Sequence, residues 1–197
     1  FIRMSAAWKQ DYPNIKHYYI HQIWPGACGS RSIEGDRLRE RQRQLPKQFS
    51  NMSVLSTLGI RPGGGCHFLA DGYAAMAGQL FPLVNQYNYG VEPKTSITPP
   101  NILSASFVGG RKDEIKLVFD QDVKWDEEII ERFYLDDGSA ELTAVGGSGK
   151  TITLKLAGPT AAKNLSYVRG GKWRQDQSII WGFNDLAALT FCEVPIK

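Results

Sequence analysis

The stretch YGVEPKTSITPPN, residues 89–101, constrains the fold more than any other part of the chain. Pro93, Pro99 and Pro100 lack the backbone N–H that helices and ladders use, and the residues between them favour extended chain. Before this stretch, apolar segments alternate between strand-like and helix-like. After it, short alternating segments are separated by turn signals. The sequence therefore predicts an α/β segment over residues 1–90, a linker over 91–100 and an all-β segment over 101–197.

In the first segment, IKHYYIHQIW (residues 15–24) is rich in β-branched and aromatic residues and reads as a strand. The loop PGACGSRSIEG follows. Asp36 is then placed to cap a helix that runs to about Leu45 and ends at Pro46. NMSVLSTLGI (residues 51–60) is the next strand, and after the PGGGCH loop a helix starts near Asp71 and runs toward Gln86. Pro82 is expected to kink it by clashing with the Gly78 carbonyl. Ile2, Met4, Ala6, Ala7 and Trp8 fit the end of a further helix, and FIRMSAAWKQDYP carries no signal-peptide pattern. Strands alternating with helices argue for a parallel sheet covered by helices. Two strands do not complete such a sheet, so this segment is expected to be the C-terminal part of a larger unit.

The second segment reads as seven or eight short strands: ILSASFV, EIKLVF, FYLDD, AELTAV, TITLKLA, LSYVR, IIWGF and ALTFCEV. Ile152, Leu154 and Leu156 share one face, as do Ile115, Leu117 and Phe119. Such alternation at roughly ten-residue spacing predicts an all-β sandwich. Its sequence holds no cluster of His, Cys or carboxylates, and Trp125 and Trp173 either stack on a sugar or pack internally.

Several function classes fall away. A formal charge of +3 is too small to imply nucleic acid. The basic run RLRERQRQLPK (residues 37–47) is interleaved with Glu40 and glutamines, and reads as a solvated helix face. No apolar run is long enough for a membrane span, since Gln79 and Pro82 break the best one. AVGGSGKT (residues 144–151) imitates a phosphate loop, but a strand pattern follows where that chemistry needs a helix, so it reads as a hairpin turn. His17 and His21 have helical zinc-ligand spacing, yet on a strand they stand about 13 Å apart. No metal or cofactor is called for. Gly35-Asp36-Arg37 resembles a serine-hydrolase block but has arginine at the nucleophile position, and reads as a helix cap.

The candidate site is PGGGCHFLADGY, where a glycine-rich loop delivers His67 ahead of a helix. A loop beyond a parallel strand is where α/β folds place their chemistry. Cys28 and Cys66 lie in glycine-rich loops that can meet at one rim, either as a disulfide of an oxidising compartment or as buried thiols. His21, Gln22 and Trp24 sit toward the carboxyl end of their strand. Trp24 and His21 are candidate sugar contacts there, with packing as the alternative role.

The runs YYIHQIWP, DRLRERQRQLP, NMSVLSTLGI, GCHFLADGYAAMAGQL and YNYG resemble the C-terminal half of SGNH-type carbohydrate esterases, in the sialate O-acetylesterase and acetylxylan-esterase-like group. The resemblance covers about residues 1–90, and the β-rich remainder resembles accessory sandwich domains more loosely. It implies a three-layer αβα fold, an acetylated saccharide substrate, and serine-type acyl hydrolysis with His67 as general base and acid. It also implies that the serine and oxyanion-hole blocks lie on polypeptide preceding Phe1 or on a second fragment. The acid that usually stands two or three residues before the histidine is replaced by Gly65 and Gly64. Glu34, Asp36 or a backbone carbonyl are the candidate substitutes. Secretion or periplasmic location is expected, with neither nucleic acid nor membrane as partner.

Overall fold

The computed structural model describes residues 1–61, 63, 64, 66–136, 140–174 and 177–197. Helix α1 (Ile2–Asp11) leads to strand β1 (Tyr18–His21), helix α2 (Ile33–Gln48) and strand β2 (Met52–Leu55). The two-residue strands β3 (Gly63–Gly64) and β4 (His67–Phe68) follow, then helix α3 (Ala70–Tyr89). β1 and β2 pair in parallel, from Tyr18 opposite Met52 to His21 opposite Leu55. Alternation divides β1 between two helices. Tyr18 meets Phe1 and Trp8 at α1, while Tyr19 donates to Asn88 of α3 and His17, just before the strand, stacks on Tyr87.

The strand-rich remainder contains β5 (Ile102–Phe107), β6 (Glu114–Phe119), β7 (Val123–Lys124), β8 (Phe133–Leu135) and β9 (Leu142–Gly146). It continues with β10 (Thr151–Leu156), β11 (Asn164–Tyr167), β12 (Trp181–Gly182) and β13 (Phe191–Pro195). One antiparallel sheet has the order β5-β6-β10-β9, a second β13-β11-β8, and β12 pairs with β7. Ile115, Leu117, Phe119, Ile152 and Leu154 of the first join Phe133, Leu165, Tyr167 and Phe191 of the second in one buried apolar cluster. Burying each such side chain is worth about 1.5–3 kcal/mol. All eight expected strand segments contain a strand, and β7 is an addition. The 144–151 segment is the turn between antiparallel β9 and β10, with Gly147 and Gly149 at positive φ.

The architecture is thus mixed α/β with several sheets. The expected three-layer parallel arrangement is not evident: among the described residues one parallel pair stands beside antiparallel sheets. α2 also departs from expectation. Ser32 caps it by accepting from the Gly35 N–H, and Asp36 is turned inward instead. Pro46 lies within its last turn, and the helix closes with the Phe49 N–H on the Leu45 carbonyl. α3 likewise runs through Pro82 to a left-handed Gly90.

The basic run is a solvated face on one side only, with Arg37, Arg41 and Lys47 exposed. Arg39 and Arg43 are buried, at 0% and 3% exposure. Arg39 pairs with Asp36 and donates to the Ser30 carbonyl, and Asp36 also accepts the Gly170 N–H at 2.8 Å. Arg43 pairs with Glu40 and donates to Asn101 Oδ1 at 2.7 Å and the Ile102 carbonyl. Gln22 donates to the Arg39 and Thr190 carbonyls and accepts the Thr190 N–H. These groups join α2 to β13, β5 and the Gly170 turn. Burial pushes the Asp36 carboxyl up and the Arg39 guanidinium down, and their mutual pairing opposes both shifts.

Candidate functional site

The site is built on the carboxyl ends of β1 and β2. Past β1 the Gln22 N–H still bonds the Leu55 carbonyl at 2.8 Å, after which the chain turns through Pro25-Gly26-Ala27-Cys28. Ser30 fastens that turn, its buried hydroxyl lying 2.8 Å from the carbonyls of Trp24 and Ala27. Gly35 at the start of α2 lies against it, and a Cβ there would overlap the Ser30 backbone. Past β2, Ser56 donates to the Ala188 carbonyl and accepts the Leu58 N–H, and Gly59 takes φ +74° beneath the Trp181 ring. The second turn is thereby held by the strand-rich half.

β3 and β4 then form a minimal antiparallel pair, with Gly63 opposite Phe68 and Gly64 opposite His67. Alternation sends successive side chains to opposite sides. Phe68 turns inward, 8% exposed, into a cluster with Trp24 and Ile60 that Ala27 and Met76 border. Its ring centroid is 4.9 Å from that of Trp24. His67 consequently faces outward and is exposed. Its N-terminal neighbour Cys66 is joined by a disulfide to Cys28, with Cα atoms 4.9 Å apart. The histidine backbone is thus gripped on one side by a covalent tie to the β1 turn and on the other by a buried phenyl ring. The imidazole itself makes no hydrogen bond among the described residues. Leu69 and Tyr73, both about half exposed, continue the rim into α3.

Not every expected contact lies on this surface. Trp24 is buried at 9% exposure, and a Cβ on Gly26 would overlap its ring, so the indole supports the loop from beneath. His21 is partly buried, and its Nε2 has no hydrogen-bond partner among the described residues. Burial pushes its pKa below the ordinary 6.5, opposed by the Met76 backbone. His17 shares a 2.9 Å hydrogen bond with Ser53 and stacks on Tyr87 at 3.8 Å between ring centroids. Met76 and Tyr87 are about 16 Å apart along α3 and the two histidines about 13 Å apart along the extended chain, so each ring meets a different part of the helix and the two do not share a centre.

The proposed substitutes for an orienting acid lie elsewhere. Asp36 is taken by Arg39 and the Gly170 N–H, and Glu34 is exposed with no bond to His67 among the described residues. Gly64 pairs with His67 across β3 and β4, while Gly65 lies outside the described residues. Sequence reasoning missed Ser30, Phe68 and the inward turn of Asp36. Gly35 carried a readable signal, since glycine costs a helix about 1 kcal/mol and its presence asks for a close contact.

Among the described residues no helix is long and apolar enough to cross a membrane. No protein-family model matches the sequence, and no curated protein sequence does either. The fold does have a counterpart. A carbohydrate acetylesterase from Xanthomonas citri superposes with a TM-score of 0.67 over 95% of this chain, at 14% identity. This chain spans 43% of that protein's length. The N-terminal part of a bacterial S-layer protein aligns over 84% of this chain and 38% of its own, at 14% identity. Its TM-score of 0.31 carries no argument. The chain therefore has a mixed α/β fold of a kind found within a carbohydrate acetylesterase.

Proposed function

We propose that this chain is the histidine-bearing part of a secreted or periplasmic carbohydrate O-acetylesterase of SGNH type. In this reading residues 1–90 are the C-terminal part of the catalytic domain, 91–100 the linker, and 101–197 a β-sandwich accessory domain. The carrying observation is His67: an exposed imidazole, clamped between the Cys28–Cys66 disulfide and buried Phe68, beyond the carboxyl end of a parallel strand pair. The shared fold supports the substrate class, and the disulfide supports the oxidising location.

The serine belongs to preceding polypeptide or to a second fragment. The chain's 43% share of its structural neighbour's length supports such a partner, as does the open apolar surface of α1 and α3, where Ile2, Met4, Phe81 and Tyr89 are exposed. His67 would take the proton of that serine as it attacks the acetyl carbonyl, and return it to the sugar alcohol as the ester bond breaks. His67 then takes a proton from water as it attacks the acetyl-serine carbonyl, and gives it to the serine oxygen as that bond breaks and acetate leaves.

The test is hydrolysis of p-nitrophenyl acetate and an acetylated sugar by the complete polypeptide, wild type against His67→Ala. The expected loss is at least ~10²-fold in kcat with the fold intact. An unchanged rate overturns the role of His67. A second reading, a non-catalytic carbohydrate-binding or interaction protein with a degenerate esterase half, is favoured by one observation: no acid contacts the imidazole among the described residues. Inactivity of the complete wild-type polypeptide would favour it.

A further inference from the structure

A cavity lies in the strand-rich half, lined by none of the residues of the His67 rim. It has a volume of about 370 Å³ and is lined by Ile130, Tyr134 of β8, Leu142 of β9, Arg169 and Lys172. The Arg169 guanidinium lies 4.7 Å from the Tyr134 ring centroid, and Lys172 Nζ lies 5.4 Å from it. Neither cation forms an ion pair among the described residues. Arg169 Nε is moreover buried without a hydrogen-bond partner among them. The acid at the cavity edge, Glu131, is engaged by Arg132 at 2.7 Å.

The backbone is bent to make this arrangement. Val168, directly before Arg169, has φ +61°, a left-handed conformation costly for a β-branched residue. It is held there by its buried side chain and by its N–H on the Arg132 carbonyl at 2.8 Å. The bend separates Tyr167, buried in the core, from Arg169 at the cavity. Gly170 then fits against the Ser30-Arg31 backbone with no room for a Cβ, and Lys172 closes the turn. Elsewhere in the molecule buried arginines are paired with acids. Here two cations converge on one aromatic ring with no ion-paired acid among the described residues, Asp36 and Glu193 acting on Arg169 only at longer range.

We infer that Tyr134, Arg169 and Lys172 form a subsite for the carboxylate of an acidic saccharide, with the apolar lining of Ile130 and Leu142 taking the C–H face of its ring. Choosing a saccharide rests on the carbohydrate reading above; the need for an anion rests on two cations at one ring that form no ion pair among the described residues. A carboxylate bridging the two cations would accept from the terminal nitrogens of the Arg169 guanidinium and from the Lys172 ammonium. The turn Ser30-Arg31, which abuts Gly170, belongs to the same loop as Cys28, so one segment borders both this subsite and the His67 tie.

The test is calorimetric titration of the complete polypeptide with trigalacturonate, xylotriose and inorganic phosphate. Trigalacturonate should bind, weakening as ionic strength rises from 0.05 to 0.5 M, about threefold in Debye length. Xylotriose and phosphate should bind at least ~10-fold more weakly. Lys172→Glu, on an exposed side chain that folding does not need, should lower trigalacturonate affinity at least ~10-fold, and His67→Ala should leave it unchanged. Absence of trigalacturonate binding, equal binding of phosphate, or indifference to Lys172→Glu each overturns the subsite. None of these results touches the esterase reading, which stands or falls on the hydrolysis assay.

Discussion

The seam between α2 and the strand-rich half, and the rim that carries His67, are both fixed in place by opposite means. In the seam the buried arginines are paired with acids, Arg39 with Asp36 and Arg43 with Glu40, and the neutral Gln22 amide is bonded to backbone on both sides. At the rim the residue of interest makes no polar contact among the described residues, and its neighbours do the holding through a disulfide and an aromatic cluster. The buried charges of the seam are neutralised in place, because an unpaired buried charge is costly. A group that serves chemistry must stay open to its reactant. On the proposed reading of His67, the difference separates holding from acting more sharply than residue type does, since arginine, aspartate and histidine all suit either role.

The largest expected effect breaks the seam. Asp36→Ala leaves the Arg39 guanidinium buried without its acid and the Gly170 N–H without an acceptor, and should destabilise by about 3–5 kcal/mol in urea unfolding. Combining it with Arg39→Met should recover much of the loss, because the buried charge leaves with the second change. A single-variant effect below about 1 kcal/mol would show that the seam is solvated.

Next comes the covalent side of the rim. Replacing Cys28 and Cys66 by serine releases a loop of sequence separation 38, for which chain entropy gives about 3–4 kcal/mol. Reduction of the wild type should shift the unfolding midpoint by the same amount. Phe68→Ala removes the apolar grip and should cost about 2–3 kcal/mol, below a full core deletion because Trp24 and Ile60 border a small cluster able to collapse. His67→Ala, by contrast, should change stability by less than about 0.5 kcal/mol, as expected for an exposed side chain without partners. A larger value would mean that the imidazole holds the rim together, and the contrast with Phe68 would fail.

Much of the strand-rich half was legible because its side chains alternate plainly: Ile152 and Leu154 are buried between the more exposed Thr151, Thr153 and Lys155. His67 was legible too, from glycines before it and a helix after it. α2 was not. Its inward residues Asp36, Arg39 and Arg43 follow helical spacing, but they are charged, so a rule that seeks an apolar stripe assigns that face to solvent. Their partners are Asn101 and the backbone near 102 and 170, contacts that no local pattern encodes. Trp24 was ambiguous in the sequence for a related reason. An aromatic near a strand end reads equally as platform or as packing, and only the overlap with Gly26 and the contact with Phe68 decide.

The smallest effect concerns pH, and it probes the ground between seam and rim. Burial lowers the pKa of both His17 and His21 below 6.5, so the unfolded chain binds more protons than the folded one as that value is approached. Their contribution is fully present above pH 6.5 and is lost as pH falls through the folded values. Unfolding midpoints should therefore fall between pH 7.5 and 5.5, and His21→Gln should flatten part of that slope. The remainder should track His17, whose ring is held between Ser53 and Tyr87. A slope that survives removal of both imidazoles would place the responsible group elsewhere. A slope carried by His21 alone would join the layer beneath the rim to the protonation state of a ring that β1 places at its carboxyl end.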